Sequence, residues 1–405
     1  MSEVVHTPQL RFPEFSGAWN THSIGKIGTF FSGGTPTSSN KDYYSGTIPF
    51  IGSGKISSES VKQHITQEAL DSSSAKIVNE GDLLYALYGA TSGAVALSKI
   101  NGAINQAVLC IRTNENKFFL KTWLEKNKER ILGTYLQGGQ GNLSAQIVKS
   151  LKLNLPTKPE QQKIAAFLTV VDNKIEQLSK KQALLGEYKK GLMQKIFSQA
   201  IRFKADDGSD FPDWEDGLLN TLIDNSRKIR YGIVQPGKYD KNGKYLIRGK
   251  DYSNGWEIPS EFFKVSDAIE KKYSKTRVKK GDVIVCIVGS VGNVMVIPGW
   301  LDGANITQTT ARIAPDKNKL NNQYLYFYFQ SLVGRNMIHK HTRVGTRPGL
   351  NIEDVEKFSI LLPSLLEQAK IANFLSSIDN KIEQVGKQLD ESKQFKKALL
   401  QQMFV

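Results

Sequence analysis

The sequence predicts an α+β chain. Two globular domains of mixed β-sheet and short helices alternate with two long helices, which pair as an intramolecular antiparallel coiled coil about a pseudo-twofold axis. Three observations carry this expectation. The stretch 156–197 recurs without a gap at 363–404, so LPTKPEQQKIAAFLTVVDNKIEQLSKKQ stands over LPSLLEQAKIANFLSSIDNKIEQVGKQL at an offset of 207 residues. Both copies carry an apolar seam with a period of about 3.5, the mark of helices that pack on one another. The stretches ahead of the two copies repeat the same succession of turns and apolar runs more loosely.

The first domain, 1–155, opens on MSEVVHTPQLRFPEF, which lacks a signal-peptide core and points to a cytoplasmic protein. NEGDLLYALYGATSG at 79–93 reads as a turn, an apolar strand and a second turn rich in glycine, the entry to a hairpin. Asn101-Gly102-Ala103 with Gln106 follows, and 118–124 reads as an apolar helix. The first long helix, 156–199, starts at Pro159 and Glu160. At the first turn a missing N–H is harmless, and a carboxylate meets the positive helix end. Its seam runs through Ile164, Leu168, Val171, Ile175, Leu178, Gln182, Leu185, Lys189, Leu192 and Ile196, with no internal proline. At 1.5 Å per residue such a helix is roughly 60 Å long, too long for the interior of one ordinary domain.

Residues 200–215, rich in Asp and Gly, are expected to be a linker. The second domain, 216–360, repeats the element order of the first. KKGDVIVCIVGSVG at 279–292 matches 79–93, Asp302-Gly303-Ala304 with Gln308 echoes Asn101-Gly102-Ala103 with Gln106, and 323–329 matches the apolar helix. Gly289-Ser290-Val291-Gly292 lies between two apolar runs, so it reads as a hairpin turn and not as a phosphate loop. The second long helix, 361–405, carries the matching seam Ile371, Leu375, Ile378, Ile382, Val385, Leu389, Ser392, Lys396, Leu399 and Met403. Either orientation of the pair is open to two helices joined through a domain, but equivalent surroundings for both copies favour the antiparallel one. The polar seam positions Gln182, Lys189, Ser392 and Lys396 are suited to fixing register.

Composition narrows the partner. The net charge is +15, and the excess resides mainly in the globular domains. Residues 1–155 hold 15 basic and 11 acidic side chains, 216–360 hold 23 and 14, and 200–215 hold 2 and 5. Basic residues mix with Gly, Tyr and Gln in 227–235 and 339–347, a pattern suited to phosphate backbones and base edges. No run of eighteen apolar residues is present, which excludes a spanning helix. Cys110 and Cys286 lie in apolar runs and read as buried thiols, and the His339/His341 pair lacks further metal ligands. The chain also lacks a Walker-type phosphate loop, a dinucleotide fingerprint, a nucleophile elbow and an N/D-P-P-[FYW] base-gripping loop, so binding without chemistry is expected.

This arrangement resembles the specificity subunit of type I restriction-modification enzymes over nearly the whole chain. The resemblance rests on two variable domains alternating with two near-identical helices, on Ser32-Gly33-Gly34-Thr35-Pro36, on the E-G-D and K-G-D turns at 80–82 and 280–282, and on the E-Q-x-K-I-A-x-F-L starts at Glu160 and Glu367. In the second domain Arg230-Tyr231-Gly232-Ile233-Val234-Gln235-Pro236 takes the place of the Gly-Gly-Thr-Pro segment. The resemblance implies that each domain reads one half of a bipartite, asymmetric site on double-stranded DNA. It implies that the helices hold the halves apart and dock two methyltransferase subunits, with restriction and translocase subunits completing the complex. S-adenosylmethionine, ATP and magnesium would be bound by those partner subunits and not by this chain, and no membrane is involved.

Candidate DNA contacts are Thr35, Ser38, Lys41, Lys55, Tyr88 and Gln140 in the first domain. In the second they are Arg230, Tyr231, Gln235, Arg248, Lys250, Arg343 and Arg347. Lys174, Glu176, Lys381 and Glu383, outside the seams, are candidates for partner docking. Two other classes are weighed against this: a stand-alone two-headed DNA-binding protein, and a coiled-coil scaffold with basic adhesive domains. Neither accounts for the same element order ahead of each helix.

Overall fold

The computed structural model describes residues 7–135, 142–253, 255–343, 345 and 348–405. The chain divides into two compact units: 1–178 together with 388–405, and 179–387. Each long helix therefore contributes one half to each unit. The helices are Lys158–Phe197 and Leu365–Met403, and both are unbroken.

The first unit holds two four-stranded sheets. One is antiparallel throughout, in the order Gly28–Ser32, Val108–Thr113, Leu83–Ala86, Val95–Leu97. The other runs His64–Ile65, Ile48–Ile51, Gly102–Ile104, Lys76–Val78, with a parallel pair at its centre that sets Phe50 against Ala103. A two-stranded ribbon, Asn20–Ser23 with Lys152–Leu155, leads into the first long helix. Its core joins Trp19, Phe119 and Trp123 to Ile164 and Leu168 of that helix and to Leu399, Met403 and Phe404 from the end of the second.

The second unit repeats this plan. Arg230–Tyr231, Thr310–Ile313, Val283–Cys286 and Val294–Val296 form the antiparallel sheet, and Glu215–Leu218 with Ser359–Leu362 form the ribbon. Phe263–Val265, Lys244–Ile247 and Asn305–Ile306 form the mixed sheet, again with one parallel pair. It has three strands where the first unit has four, because the stretch equivalent to Lys76–Val78 is a 3-10 turn, Ser274–Thr276, followed by Val278. The core here gathers Met193, Ile196 and Phe197 with Tyr324, Tyr328, Ile371 and Leu375.

The heptad seam explains how the helices meet. Every seam position in both copies is buried or half-buried. In the first unit Lys396 reaches Asp172 at 2.6 Å, and in the second Lys189 reaches Asp379 at 2.6 Å. Lys189 and Lys396, like Asp172 and Asp379, are 207 residues apart, so one antiparallel contact is made twice. A lysine at a seam position costs stability unless a carboxylate meets it, which is how such a residue fixes register and direction. Gln182 lies against Gly386, where a Cβ would come within 2.7 Å of its amide nitrogen.

The stretch 200–215, expected as a linker, is docked within the second unit. Arg202 donates twice to the buried Glu367, Trp214 Nε1 donates to the same carboxylate at 3.0 Å, and Phe203 packs edge-on against Phe374. The first unit has the same arrangement: Arg11 donates twice to Glu160, Trp19 Nε1 donates to it at 3.3 Å, and Phe12 packs on Phe167. The following glutamines complete the pattern. Gln161 accepts from the Asn116 amide, and Gln368 from the Asn321 amide, tying each long helix to the cap of the apolar helix in its unit. These helix starts are thus buried polar hubs. No helix of the described residues is long and apolar enough to cross a membrane.

Candidate nucleic-acid interface

The repeated acid-glycine turns build one end of each antiparallel sheet. Asp82 accepts from the Asn79 amide and Asp282 from the Lys279 amide, while Asn101 and Asp302 accept from the amides of Glu80 and Lys280. Lys117 and Asn322, each the first residue of its apolar helix, donate to the carbonyls of Gly81 and Gly281. Burial alone would raise the Asp82 carboxyl. The Arg112 side chain, the Asn79 amide and Lys117 outweigh it and hold Asp82 below the usual carboxylate range. The acidic turn residues are structural here.

The opposite sheet end carries a cluster of loops. Gly33 and Gly232 occupy equivalent places, donating to the carbonyls of Asn105 and Thr307 at 3.2 Å each. A Cβ on either would stand 1.7 Å from the carbonyl oxygen of Ile104 or Ile306, so only glycine fits. This equivalence confirms that 230–236 takes the place of the Gly-Gly-Thr-Pro segment. The turns after the central strands are also anchored alike. Leu143 donates to the Leu87 carbonyl at 2.9 Å, and Leu350 to the Ile287 carbonyl at 2.8 Å.

In the first unit Thr35 is exposed, with its hydroxyl donating to Gln106 Oε1 at 2.6 Å, and Ser38 and Lys41 follow on the exposed stretch. Lys55 ends the turn Ser53–Lys55, which packs against Gly89–Thr91, next to the half-buried Tyr88. The loop cluster thus brings Thr35, Lys55 and Tyr88 onto one end of the sheets. Gln140 lies outside the described residues.

In the second unit the same end gathers Gln235, Lys250 and Arg343, all exposed. The turn Gly249–Tyr252 is held there by Tyr252, whose hydroxyl meets Thr310 Oγ1 at 2.9 Å, and Gly349 bridges both Val288 and Arg343. Arg343 is drawn toward Asp354 at 3.8 Å and lies beside the Asn351 side-chain amide. Arg347 lies outside the described residues.

The basic run 227–235 does not act as one loop. Arg227 is bound to the buried Asp282 at 2.6 Å, and Ile229 is core. Arg230 and the exposed Tyr231 sit on the edge strand opposite Arg312 and Ala311. Arg312 is itself buried, donating to the carbonyls of Lys228, Lys275 and Arg277. Burial pushes its guanidinium pKa down, and Arg227 and Arg230 add to that. Arg248 is likewise committed: it pairs with the fully buried Asp251 at 2.9 Å, donates to the Glu261 carbonyl and stands over Phe263. Sequence spacing cannot distinguish an arginine that reaches solvent from one that neutralises a buried acid.

Lys174 and Glu176 are exposed in the first unit, and Lys381 and Glu383 in the second. At about 100° per residue the two members of each pair point to opposite flanks of their helix. Two exposed aromatics were missed: Tyr188, 56% exposed, and Phe395, 54% exposed, again 207 residues apart. Their signal was their position off the seam, where an aromatic ring has no intramolecular reason to be. Cys110 and Cys286 are both buried, and burial pushes the Cys110 thiol up to about 12. Among the described residues no group of three or more His, Cys, Asp or Glu is placed to hold a metal ion.

Comparison with known proteins follows the same division. The family model for the type I restriction modification DNA specificity domain matches residues 17–185 and again 223–392. The EcoBI specificity subunit of Escherichia coli is 26% identical over 71% of this chain, a match that spans 65% of that subunit's own length. The MjaVIII specificity subunit of Methanocaldococcus jannaschii is 26% identical over 96% of this chain and 92% of its own. Among solved structures, the type I S subunit from M. genitalium superposes with a TM-score of 0.63 at 17% identity, covering 98% of this chain and 99% of its own. A chain from a study of type I R-M complex assembly superposes at 0.55 and 18% identity, covering 94% and 96%.

Proposed function

Since the chain belongs to the type I restriction-modification DNA specificity family, we propose that it is the non-catalytic DNA-reading subunit of such a complex. Each unit reads one half of a bipartite, asymmetric site, and the paired helices set the spacing of the halves. The observation that carries this is the contrast within the repeat. The helix contacts, Lys189 with Asp379 and Lys396 with Asp172, are the same in both units, whereas the loop clusters share only their glycine and carbonyl anchors. Equal helices suit one partner met twice, and unequal loops suit two different sequences.

Joining two weak readers through a stiff connector makes the second binding event intramolecular, so affinity rises only for half-sites at the matching separation. Two heads on one face of B-DNA engage sites about 34 Å apart, one helical turn, which leaves several unread base pairs between. Two methyltransferase subunits dock on the helices, with Tyr188 and Phe395 as aromatic anchors beside Lys174, Glu176, Lys381 and Glu383. Exposed aromatics commonly dominate interface energies. S-adenosylmethionine, ATP and magnesium are handled by the partner subunits in the cytoplasm.

The test is methylation-sensitive sequencing of DNA modified by the assembled complex. The expected result is a two-part motif with an unread gap. Inserting four residues into one long helix should alter the gap, and an unchanged gap would sink the spacing role. Replacing both Tyr188 and Phe395 by Ala should lower the amount of methyltransferase that co-purifies. Full recovery of two copies would remove them as anchors.

A further inference from the structure

We propose that the cleft between the helix Leu332–His341 and the Gly289–Gly292 turn is a DNA-contact site of the second unit, with Arg335 as its main ligand to the nucleic acid. The proposal rests on the DNA-reading role above and names the residues that carry it in this unit. The cleft encloses about 930 Å³, and its polar lining includes Ser290, Asn293, Gln330, Arg335 and His339. Among the described residues that line it there is no carboxylate. Another cleft of this unit, about 950 Å³, is lined by Asp224, Asp282 and Asp316 as well as by Lys279 and Lys280, and so offers a polyanion a mixed field.

The helix is seated so that its cation faces the opening. Ile338 is buried and meets the backbone of Gly292, where a Cβ would lie 3.4 Å from its Cγ2. Arg335 and His339, one turn apart, are exposed on the same helix and line the cleft. Gly292 (φ +90°) and Gly289 (φ +88°) give the turn its shape, and a Cβ on Gly289 would meet nothing within 4 Å. Backbone at such a point can approach a ligand closely. The cleft also adjoins the loop cluster, because Val288 pairs with Gly349 and Leu350 donates to the Ile287 carbonyl.

Elimination supports the assignment. Arg202, Arg227, Arg248 and Arg277 are paired with buried carboxylates, Arg312 is spent on three backbone carbonyls, and Arg343 leans on Asp354 and Asn351. Of the described arginines in this unit, Arg230 and Arg335 are the two whose side chains make no hydrogen bond or ion pair with described residues, and Arg230 stands across the strand pair from the buried Arg312. An arginine that grips a phosphate or the O6 and N7 edge of guanine must have its fork free.

The experiment uses the full chain in its assembled complex, comparing wild type, Arg335→Ala, Arg335→Lys and, as a control on the same helix outside the cleft, Asn336→Ala. Duplex affinity is measured at graded salt, and the methylated motif is sequenced. A guanine contact predicts a loss of roughly 5- to 150-fold for both Arg335 variants, with preference relaxed at one base pair of one half-site. A phosphate contact predicts weakening on all sequences for Arg335→Ala alone, with the salt slope shallower by about 0.9. Unchanged affinity, slope and motif in Arg335→Ala, or an equal loss in Asn336→Ala, overturns the proposal. A wild-type complex that shows no sequence preference instead defeats the DNA-reading role itself.

Discussion

At the scale of single residues, stability turns on a few buried charges. Glu160 and Glu367 are almost fully buried, and each accepts from an arginine and a tryptophan. Removing one partner strands the rest, so Glu367→Ala should cost about 3–5 kcal/mol by chemical denaturation. A loss below about 1 kcal/mol would show that the hub is not coupled to folding. The pH response follows from two carboxylates. Arg277 holds Glu270 below its ordinary range, and Arg112 with the Asn79 amide does the same for Asp82 against the opposing effect of burial. A depressed folded pKa gives stability that is complete above the unfolded value of about 4 and is lost as pH falls from there through the folded value. Thermal midpoints should therefore hold from neutral pH to about pH 5 and fall below about pH 4. Arg112→Gln should flatten that fall, and an unaltered profile would refute the link. Sequence reading located Asp82 and Asp282 in turns, but the arginine each would capture depends on contacts between strands far apart in the chain.

At the scale of elements, the long helices were the most legible part, because a seam of period 3.5 and a 207-residue copy survive without any tertiary knowledge. Their direction became certain only with the contacts. The seam lysines Lys189 and Lys396, in the C-terminal halves of their helices, find aspartates in the N-terminal half of the partner helix. A double-mutant cycle on Lys189 and Asp379 should return a coupling near 1 kcal/mol, in the range of well-placed, partly exposed pairs. Zero coupling would mean the pair is incidental to register. The loops were less legible. Gly33 and Gly232 share one structural duty inside unrelated sequences, and what reveals it is the 1.7 Å approach to a carbonyl, not a pattern of letters. Gly232→Ala should accordingly destabilise the second unit by about 1–3 kcal/mol, as other overpacked sites do. A stable variant of normal melting behaviour would contradict the lack of space at this position.

At the scale of the whole molecule, the excess positive charge belongs to the globular parts, yet several of their arginines are committed to buried acids. Arg227, Arg248 and Arg277, counted toward the basic second domain, turn out to neutralise Asp282, Asp251 and Glu270. Charge counting therefore overstates the number of available contacts and cannot say which remain. The duplication was visible at once, while the docking of 200–215 was not, because Arg-Phe and a later Trp recur at unequal spacing in the two copies. That docking has a consequence for connectivity. Ile201 donates to the Lys195 carbonyl at 3.2 Å, and Leu10 donates to the Gln402 carbonyl at 3.0 Å, so the chain enters each unit past the end of a long helix in the same way. In one unit the two partners are six residues apart, and in the other they lie near opposite ends of the polypeptide. The element order is in this sense cyclic. A permutant opened between 198 and 200, with a short linker joining the present ends, should fold with an unchanged circular dichroism spectrum and co-purify with the same partners.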